Sequence, residues 1–297
     1  MTVRVAVIGL GRVGRLCAEG ALRDGQLRLA GLVRRPERVA GPVPEGLAGV
    51  ATAGHVGDLR DVHAALVCVP SVLTTDVARE LLQHGVAVVE SAALHGEAFR
   101  RHKAELHRIA LHRRLPAIVG AGWDPGALSV FRALFGLLAP KGHSEASRRP
   151  GMHLHHSTIA GHVPGVKAAL ALDLPGGRRR GQHYIYVEPE AGADVERIAA
   201  AIRADPLFAG ERVFVFAVES VAALEAQGQG VLVERRGSTV GVGHQQLLLE
   251  ARLSETAMTA QMMPSAARAL PACGHGAHSL LDLPLASLWG ELREWAE

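Results

Sequence analysis

Aromatic side chains are scarce, only 4% of the 297 residues, although hydrophobic residues reach 48%. A core of this chain has to be assembled mainly from Ala, Val and Leu. Lysine is reduced to Lys103, Lys141 and Lys167, so the 32 basic residues that face 29 acidic ones are almost all arginine, with a net charge of +3. These arginines are scattered and do not interleave with aromatics, which excludes the basic, ring-studded stripe of a nucleic-acid binder. Cysteine is limited to Cys17, Cys68 and Cys273, an odd number far apart in sequence. No disulfide framework is implied, and a reducing compartment is expected. No apolar run is long enough to span a bilayer. Met1 to Val5 runs straight into a strand pattern, without the basic head and apolar centre of a secretory leader. The expectation is a soluble cytoplasmic protein with no nucleic-acid and no membrane partner.

What is present begins with VRVAVIGLGRVGRLCAEGAL. A short Val/Ile strand leads into Gly9-Leu10-Gly11-Arg12-Val13-Gly14 and then an Ala-rich helix. In a G-x-G-x-x-G turn the first glycine makes the tight turn and the second lets backbone approach a pyrophosphate. The third lets the helix pack on the strand, and the helix N-terminus faces the anion. The spacing therefore predicts a dinucleotide site. A second strand, Leu27 to Val33, ends in Arg34-Arg35-Pro36, where NAD sites carry a carboxylate for the ribose hydroxyl. Two guanidinium groups suit a 2′-phosphate instead, so NADP is the expected cofactor.

Strand–helix alternation continues. Residues 64–70 form a buried strand closing on Cys68-Val69-Pro70, at the end where a cofactor lies. A helix is predicted over 74–85 with Thr capping candidates. A strand follows at 86–92, a helix at 97–112 and a strand at 116–122. This pattern predicts a Rossmann-type, doubly wound parallel α/β sheet with ligands at the carboxyl ends of its strands. After Pro140 strands dominate: around 169–177, 182–190, 212–218, 230–236 and 244–253, with a helix that starts after Asp194 and runs to Arg203. A second, α+β substrate and dimerisation domain is expected over 123–255. The dinucleotide domain then comprises 1–122 and 256–297, and a helix at 257–270 is broken or kinked at Pro264.

Trp123-Asp124-Pro125-Gly126 sits where a strand hands over to a helix. Asp before Pro is a good helix cap, and a carboxylate there also suits binding of a substrate amine. Histidine is abundant, notably in HLHH (153–156) and CGHGAH (273–278). Neither has the paired spacing of a structural zinc site, and no metal is expected.

The segments Gly9-x-Gly11-x-x-Gly14, Gly122-Trp123-Asp124-Pro125-Gly126 and Ala139-Pro140-Lys141-Gly142 resemble the meso-diaminopimelate dehydrogenase family. So do Pro150-Gly151-Met152, His156-Ser157, Pro164-Gly165-Val166, YVEPEAGAD (186–194) and TAQMM (259–263). The resemblance covers most of the chain. It implies reversible NADP-dependent oxidation of a D-amino centre to a 2-oxo acid and ammonia, and a homodimer. It also implies that Asp124 contacts the reacting ammonium, beside Trp123 and His156, and that the helix near 256–270 packs back on the dinucleotide domain. Ala92-Ala93 stands where the family has Tyr-Asp. The family's far-end carboxylate clamp matches Asp173, His183, Gln229 and Glu255 here, while Arg148, Met152 and His153 line the rewritten pocket. An acidic clamp implies a substrate with a cationic far end, a D-configured basic amino acid. Two alternatives stay open: a dehydrogenase of the same fold acting on another amine, and a non-catalytic NADP-binding sensor. Sugar dehydrogenases and dihydrodipicolinate reductases fit less well, because Glu90 is followed by Ser91-Ala92 and His155-His156 by Ser157.

Overall fold

The computed structural model describes residues 2–149, 160–174, 182–208, 212–226 and 229–289. The chain divides into two compact units, Met1–Leu134 with Thr256–Glu297, and Phe135–Glu255.

The first unit is built on strands β1 (Val3–Ile8), β2 (Leu27–Val33), β3 (Thr52–Ala53), β4 (Ala64–Val67), β5 (Ala87–Glu90), β6 (Pro116–Ile118) and β13 (Gly276–His278). They form one seven-stranded sheet in the order β13-β6-β5-β4-β1-β2-β3, and every pairing in it is parallel. Each strand serves two apolar layers. Val3, Val5 and Val7 of β1 point into one, with Cys17, Ala18 and Ala21 of helix α1 (Arg12–Arg23). Ala6 and Ile8 point into the other, with Ala78, Leu81 and Leu82 of α2 (Ser71–Gln83) and Leu106 and Ala110 of α3 (Gly96–Arg113). Burial on both faces explains why these strands read as continuous apolar runs.

Three expectations are adjusted. Helix α2 begins at Ser71 and not at Thr74. Thr74 is buried inside it, and its hydroxyl donates to the Pro70 carbonyl at 3.3 Å. The unit boundary falls after Leu134 and not at 122/123. Trp123 and Leu128 are buried, the Trp123 N–H donates to Thr259 Oγ1 at 3.2 Å, and Val130 packs on the first apolar layer. The late helix (Glu255–Ala269) runs through Pro264 unbroken. Proline removes the N–H that the Ala260 carbonyl would accept, and the Cys17 thiol lies 3.8 Å from that oxygen. Met263, Ala266 and Ala267 of this helix share the layer with β1. Among the described residues no helix is long and apolar enough to cross a membrane.

Helix α4 (Leu128–Leu138) leads into the second unit. There β7 (Lys141–Arg149), β11 (Gln229–Thr239) and β12 (Val242–Leu253) form an antiparallel sheet in the order β12-β11-β7. The polar segment KGHSEASRR of β7 gives little sequence signal. Its start is held by buried Arg235, whose guanidinium donates to the Ala139 carbonyl (2.6 Å), the Pro140 carbonyl (3.1 Å) and Ser144 Oγ (2.7 Å). A second sheet, β10-β9-β8, comprises β8 (Val166–Leu174), β9 (Gln182–Pro189) and β10 (Arg212–Ala217). Helix α5 (Val195–Ala204) starts on Asp194, whose carboxylate accepts from the N–H groups of Glu196 and Arg197. Its Ile198 and Ile202 join Val166, Ile185 and Phe208 in this unit's core.

Candidate functional site

The turn from β1 to α1 leaves no room for side chains at two of its glycines. Gly9 has φ +91°, and a Cβ there would lie 2.8 Å from the Cys68 carbonyl oxygen. A Cβ on Gly14 would lie 1.9 Å from the Gly9 carbonyl oxygen. At Gly11, by contrast, a Cβ would meet nothing within 4 Å. Gly11 caps α1 without a side-chain hydrogen bond, and the first turn, with Arg12 exposed and Val13 half-buried, carries no acid. Backbone N–H groups and the positive end of the helix dipole thus face open space at the carboxyl edge of the sheet, the arrangement that holds a pyrophosphate.

A cavity of about 530 Å³ opens beside this turn. Gly9, Arg34, Arg35, Cys68, Val69 and Pro70, all expected from the sequence, line it together. Arg34 Nη1 donates to the Gly41 carbonyl at 2.9 Å and the Pro42 carbonyl at 3.3 Å, which holds the guanidinium at the cavity wall. Arg38 lines the cavity too and was missed. The signal lay in Pro36: a 3₁₀ turn over Pro36–Arg38 places residues three apart on one side, Arg38 with Arg35. Backbone donors at one end and three guanidinium groups at another make a donor set that fits a phosphorylated dinucleotide.

His55 and Glu80 also line this cavity, and neither was foreseen. With His84 they form the one His/Cys/acid group among the described residues whose ligand atoms lie within 4.8 Å of one another. Its hydrogen bonds are specific. His55 Nδ1 accepts from the Gly57 N–H at 3.0 Å, so its proton sits on Nε2, 3.3 Å from Glu80 Oε1. His84 Nδ1 is 2.9 Å from the Glu80 carbonyl oxygen, and its ring meets that of His55 edge-on.

Cys68, on the cavity wall, has its sulfur 4.0 Å from that of Met263. A hydrogen bond with Cys17 and burial push its thiol well above the ordinary range, and burial pushes Cys273 up to about 11. Both stay protonated at neutral pH and are poor nucleophiles.

Trp123 and Asp124 follow β6. Trp123 is buried, 6.3 Å from the Phe131 ring, and its indole Nε1 has no hydrogen-bond partner among the described residues. Asp124 has extended backbone (φ −131°, ψ 116°), its peptide to Pro125 is cis, and Trp123–Ala127 forms a wide turn before α4 starts at Leu128. An extended residue before proline at a helix start is the backbone of a cap, so the geometry suits capping as well as a role toward a substrate amine. Its carboxylate is 9% exposed, with Oδ1 3.7 Å from Nδ1 of His95. His95, half exposed, follows closely on Ala92-Ala93 and was not anticipated.

The remaining candidates lie on separate segments. Asp173 pairs with His183 across β8 and β9, and His183 is buried edge-on against Phe208 at 5.6 Å. Arg148 on β7 lies opposite Val231, and Gln229 opens β11 opposite Leu253. The side chains of Arg148, Asp173 and Gln229 lie outside the described residues, as do Met152, His153 and His156 entirely. Glu255 is the first residue of the late helix and is half-buried.

No family model matches the chain. Over 294 residues it is 32% identical to the meso-diaminopimelate D-dehydrogenase of Bacteroides fragilis, covering 99% of this chain and 97% of that protein. The chain belongs to the meso-diaminopimelate D-dehydrogenase family. The protein of that name from Corynebacterium glutamicum is 26% identical over 264 residues, 82% of this chain and 80% of its own. Solved structures share the fold. The C. glutamicum DAP dehydrogenase in complex with DAP is 24% identical, with TM-score 0.64 over 97% of this chain and 96% of that one. An engineered D-amino acid dehydrogenase bound to NADP+ is 22% identical, with TM-score 0.61 over the same shares.

Proposed function

We propose that the protein is an NADP-dependent dehydrogenase that reversibly converts a D-amino centre of an amino acid into a 2-oxo acid and ammonia. The observation that carries this reading is the cavity that joins the Gly9 turn to Arg34, Arg35 and Arg38, in a chain matched over its length by a meso-diaminopimelate D-dehydrogenase. The backbone of the Gly9–Gly14 turn holds the pyrophosphate and the arginines hold the 2′-phosphate. NADP, when bound, supplies the hydride acceptor.

The chain's own residues do the rest. The substrate nitrogen must lose its proton before its lone pair can expel hydride from the carbon. The Asp124 carboxylate, close to the carboxyl end of β6, holds that nitrogen and accepts the proton. It then faces the iminium cation, to which water adds before ammonia leaves. Trp123 keeps bulk water from the carbon. His95 Nδ1 lies 3.7 Å from the Asp124 carboxylate, and His156 is assigned to the same catalytic group from the family resemblance. Asp173, His183, Gln229 and Glu255 form the far-end clamp, with Arg148, Met152 and His153 around the reacting half. The protein works in the cytoplasm, in keeping with its three free cysteines, and as a homodimer, a reading supported by the aromatic face of β10-β9-β8. There Phe214 and Phe216 are exposed and stack with Tyr184 and Tyr186 at 5.1–6.2 Å.

The test is NADPH formation from D-amino acids and meso-diaminopimelate by the wild type and Asp124→Asn. Asparagine keeps the shape and removes the charge. Loss of about a hundredfold or more in kcat with unchanged stability supports the assignment. Tight NADPH binding without turnover of any amine would favour the sensor alternative.

A further inference from the structure

The cavity beside the glycine turn is electrically lopsided. Arg34, Arg35 and Arg38 come from the segment after β2, whereas Glu80, its only acidic lining residue among the described residues, comes from α2. Glu80 is paired with His55 and, among the described residues, with none of the arginines. An anionic group of the dinucleotide gains at the arginines and is repelled at Glu80. The part that fits beside Glu80 is therefore uncharged and carries a hydrogen-bond donor. Leu73 and Val77 of α2 and Val56 supply an apolar wall close by, suited to the faces of a purine.

We propose that Glu80, oriented by His55, reads the base of the dinucleotide and selects adenine over 6-oxo purines. This rests on the dinucleotide reading above. The hydrogen bonds leave the carboxylate ready for it. Because His55 Nδ1 is committed to the Gly57 N–H, the Nε2 proton points at Glu80 Oε1. That contact holds one carboxylate oxygen and leaves the second as an acceptor. His84 braces the pair from the next turn of α2 through its 2.9 Å contact with the Glu80 carbonyl oxygen. Adenine presents an exocyclic amine, a donor, where hypoxanthine and guanine present a carbonyl, an acceptor. On the edge that carries N7 a carboxylate satisfies the first and repels the second, and the N1–H of a 6-oxo purine lies on the other edge, so the selection proposed is made from the N7 side. Nothing in the glycine turn or the arginine cluster makes this distinction, since both address phosphate.

The experiment is fluorescence titration of the full chain with NADPH and with its hypoxanthine analogue, and with the corresponding pair lacking the 2′-phosphate. The wild type is expected to bind the adenine form about tenfold more tightly in both pairs, the lower end for a hydrogen bond to a charged group at a partly exposed site. Glu80→Gln, whose amide can turn its NH₂ toward a 6-oxo group, should bring the ratio close to one. Glu80 is exposed, so the substitution does not threaten the fold. Arg34→Ala should weaken both phosphorylated forms and leave the base ratio unchanged. Equal affinities for the two bases in the wild type would overturn the proposal, as would a tenfold ratio that survives in Glu80→Gln. If no dinucleotide binds, the cofactor reading falls as well. If the unphosphorylated pair binds as tightly as the phosphorylated one, only the arginine reading falls, and the base ratio still decides the role of Glu80.

Discussion

Glu90 Oε1 lies 3.0 Å from His102 Nε2, and both side chains are buried. The same carboxylate accepts from the N–H of Gly120 at 2.8 Å and from that of Ala92. The other ring nitrogen of His102 is 2.9 Å from Thr75 Oγ1 on α2. One acid thus ties the end of β5 to the segment leading to His95 and to the segment leading to Asp124. Removing one partner of a buried hydrogen-bonded pair costs about 3–5 kcal/mol. Glu90→Ala is expected to lose stability of that order in urea unfolding, and Glu90→Gln, which keeps an acceptor, roughly 1–2 kcal/mol. A loss below about 1 kcal/mol for Glu90→Ala would contradict the network.

Arg34 and Arg35 are expected to set cofactor preference. Arg34→Ala should weaken NADPH about tenfold or more, from the loss of charge-assisted hydrogen bonds. NADH affinity should change far less. Titration of both cofactors with the wild type and the variant checks this, and parallel losses would make Arg34 a loop brace for Gly41 and Pro42 and nothing more.

The far end of the substrate is testable by kcat/KM. With acidic Asp173 and Glu255 assigned to the clamp, D-lysine or D-ornithine should be preferred to meso-diaminopimelate. The penalty for a desolvated carboxylate beside them is about 3–5 kcal/mol, over a hundredfold. A wide margin for meso-diaminopimelate would remove these two residues from the pocket.

Phe216 on β10 should lie in the dimer interface. Phe216→Glu, on an exposed face, is expected to leave the fold intact and shift sedimentation from dimer to monomer, because a charge at the centre of an apolar contact costs several kcal/mol. A dimer unchanged by the substitution would place the interface elsewhere.

Much of the first unit was legible because its physics is local. The Val/Ile strand, the glycine spacing and the helix after it occupy one contiguous stretch, and Arg34-Arg35 follows its strand directly. Arg38 needed one further step, the turn started by Pro36. His55 with Glu80, and His95 with Asp124, were not legible, since each pair meets only once helices have packed on the sheet. Polar β7 escaped because it forms the edge of its sheet and has no regular apolar alternation. The helix continues through Pro264 where the lost hydrogen bond lies beside the Cys17 thiol, contributed from the other end of the chain and so out of reach of a local reading.

Asp282 gives a pH-dependent test. Burial raises its carboxyl, but the Lys103 ammonium and the Ser279 N–H and hydroxyl outweigh that and hold it below the ordinary carboxylate range. A depressed folded value stabilises fully above the unfolded value near 3.9 and is lost as pH falls through the folded one. Asp282→Ala should therefore lower Tm by about 2–4 °C at pH 7. The two melting curves should converge below about pH 4, and a constant offset across that range would remove the ionised form from the explanation.

The crowding of Gly9 and Gly14 against each other and against Cys68 limits how this enzyme can be retooled. Neither position accepts even a methyl group, so variation in cofactor preference has no foothold at these two glycines. Room for it exists at residues 34, 35, 38 and 80, whose side chains border open volume. A library confined to those four positions would explore cofactor choice while leaving the joint between strand and helix intact.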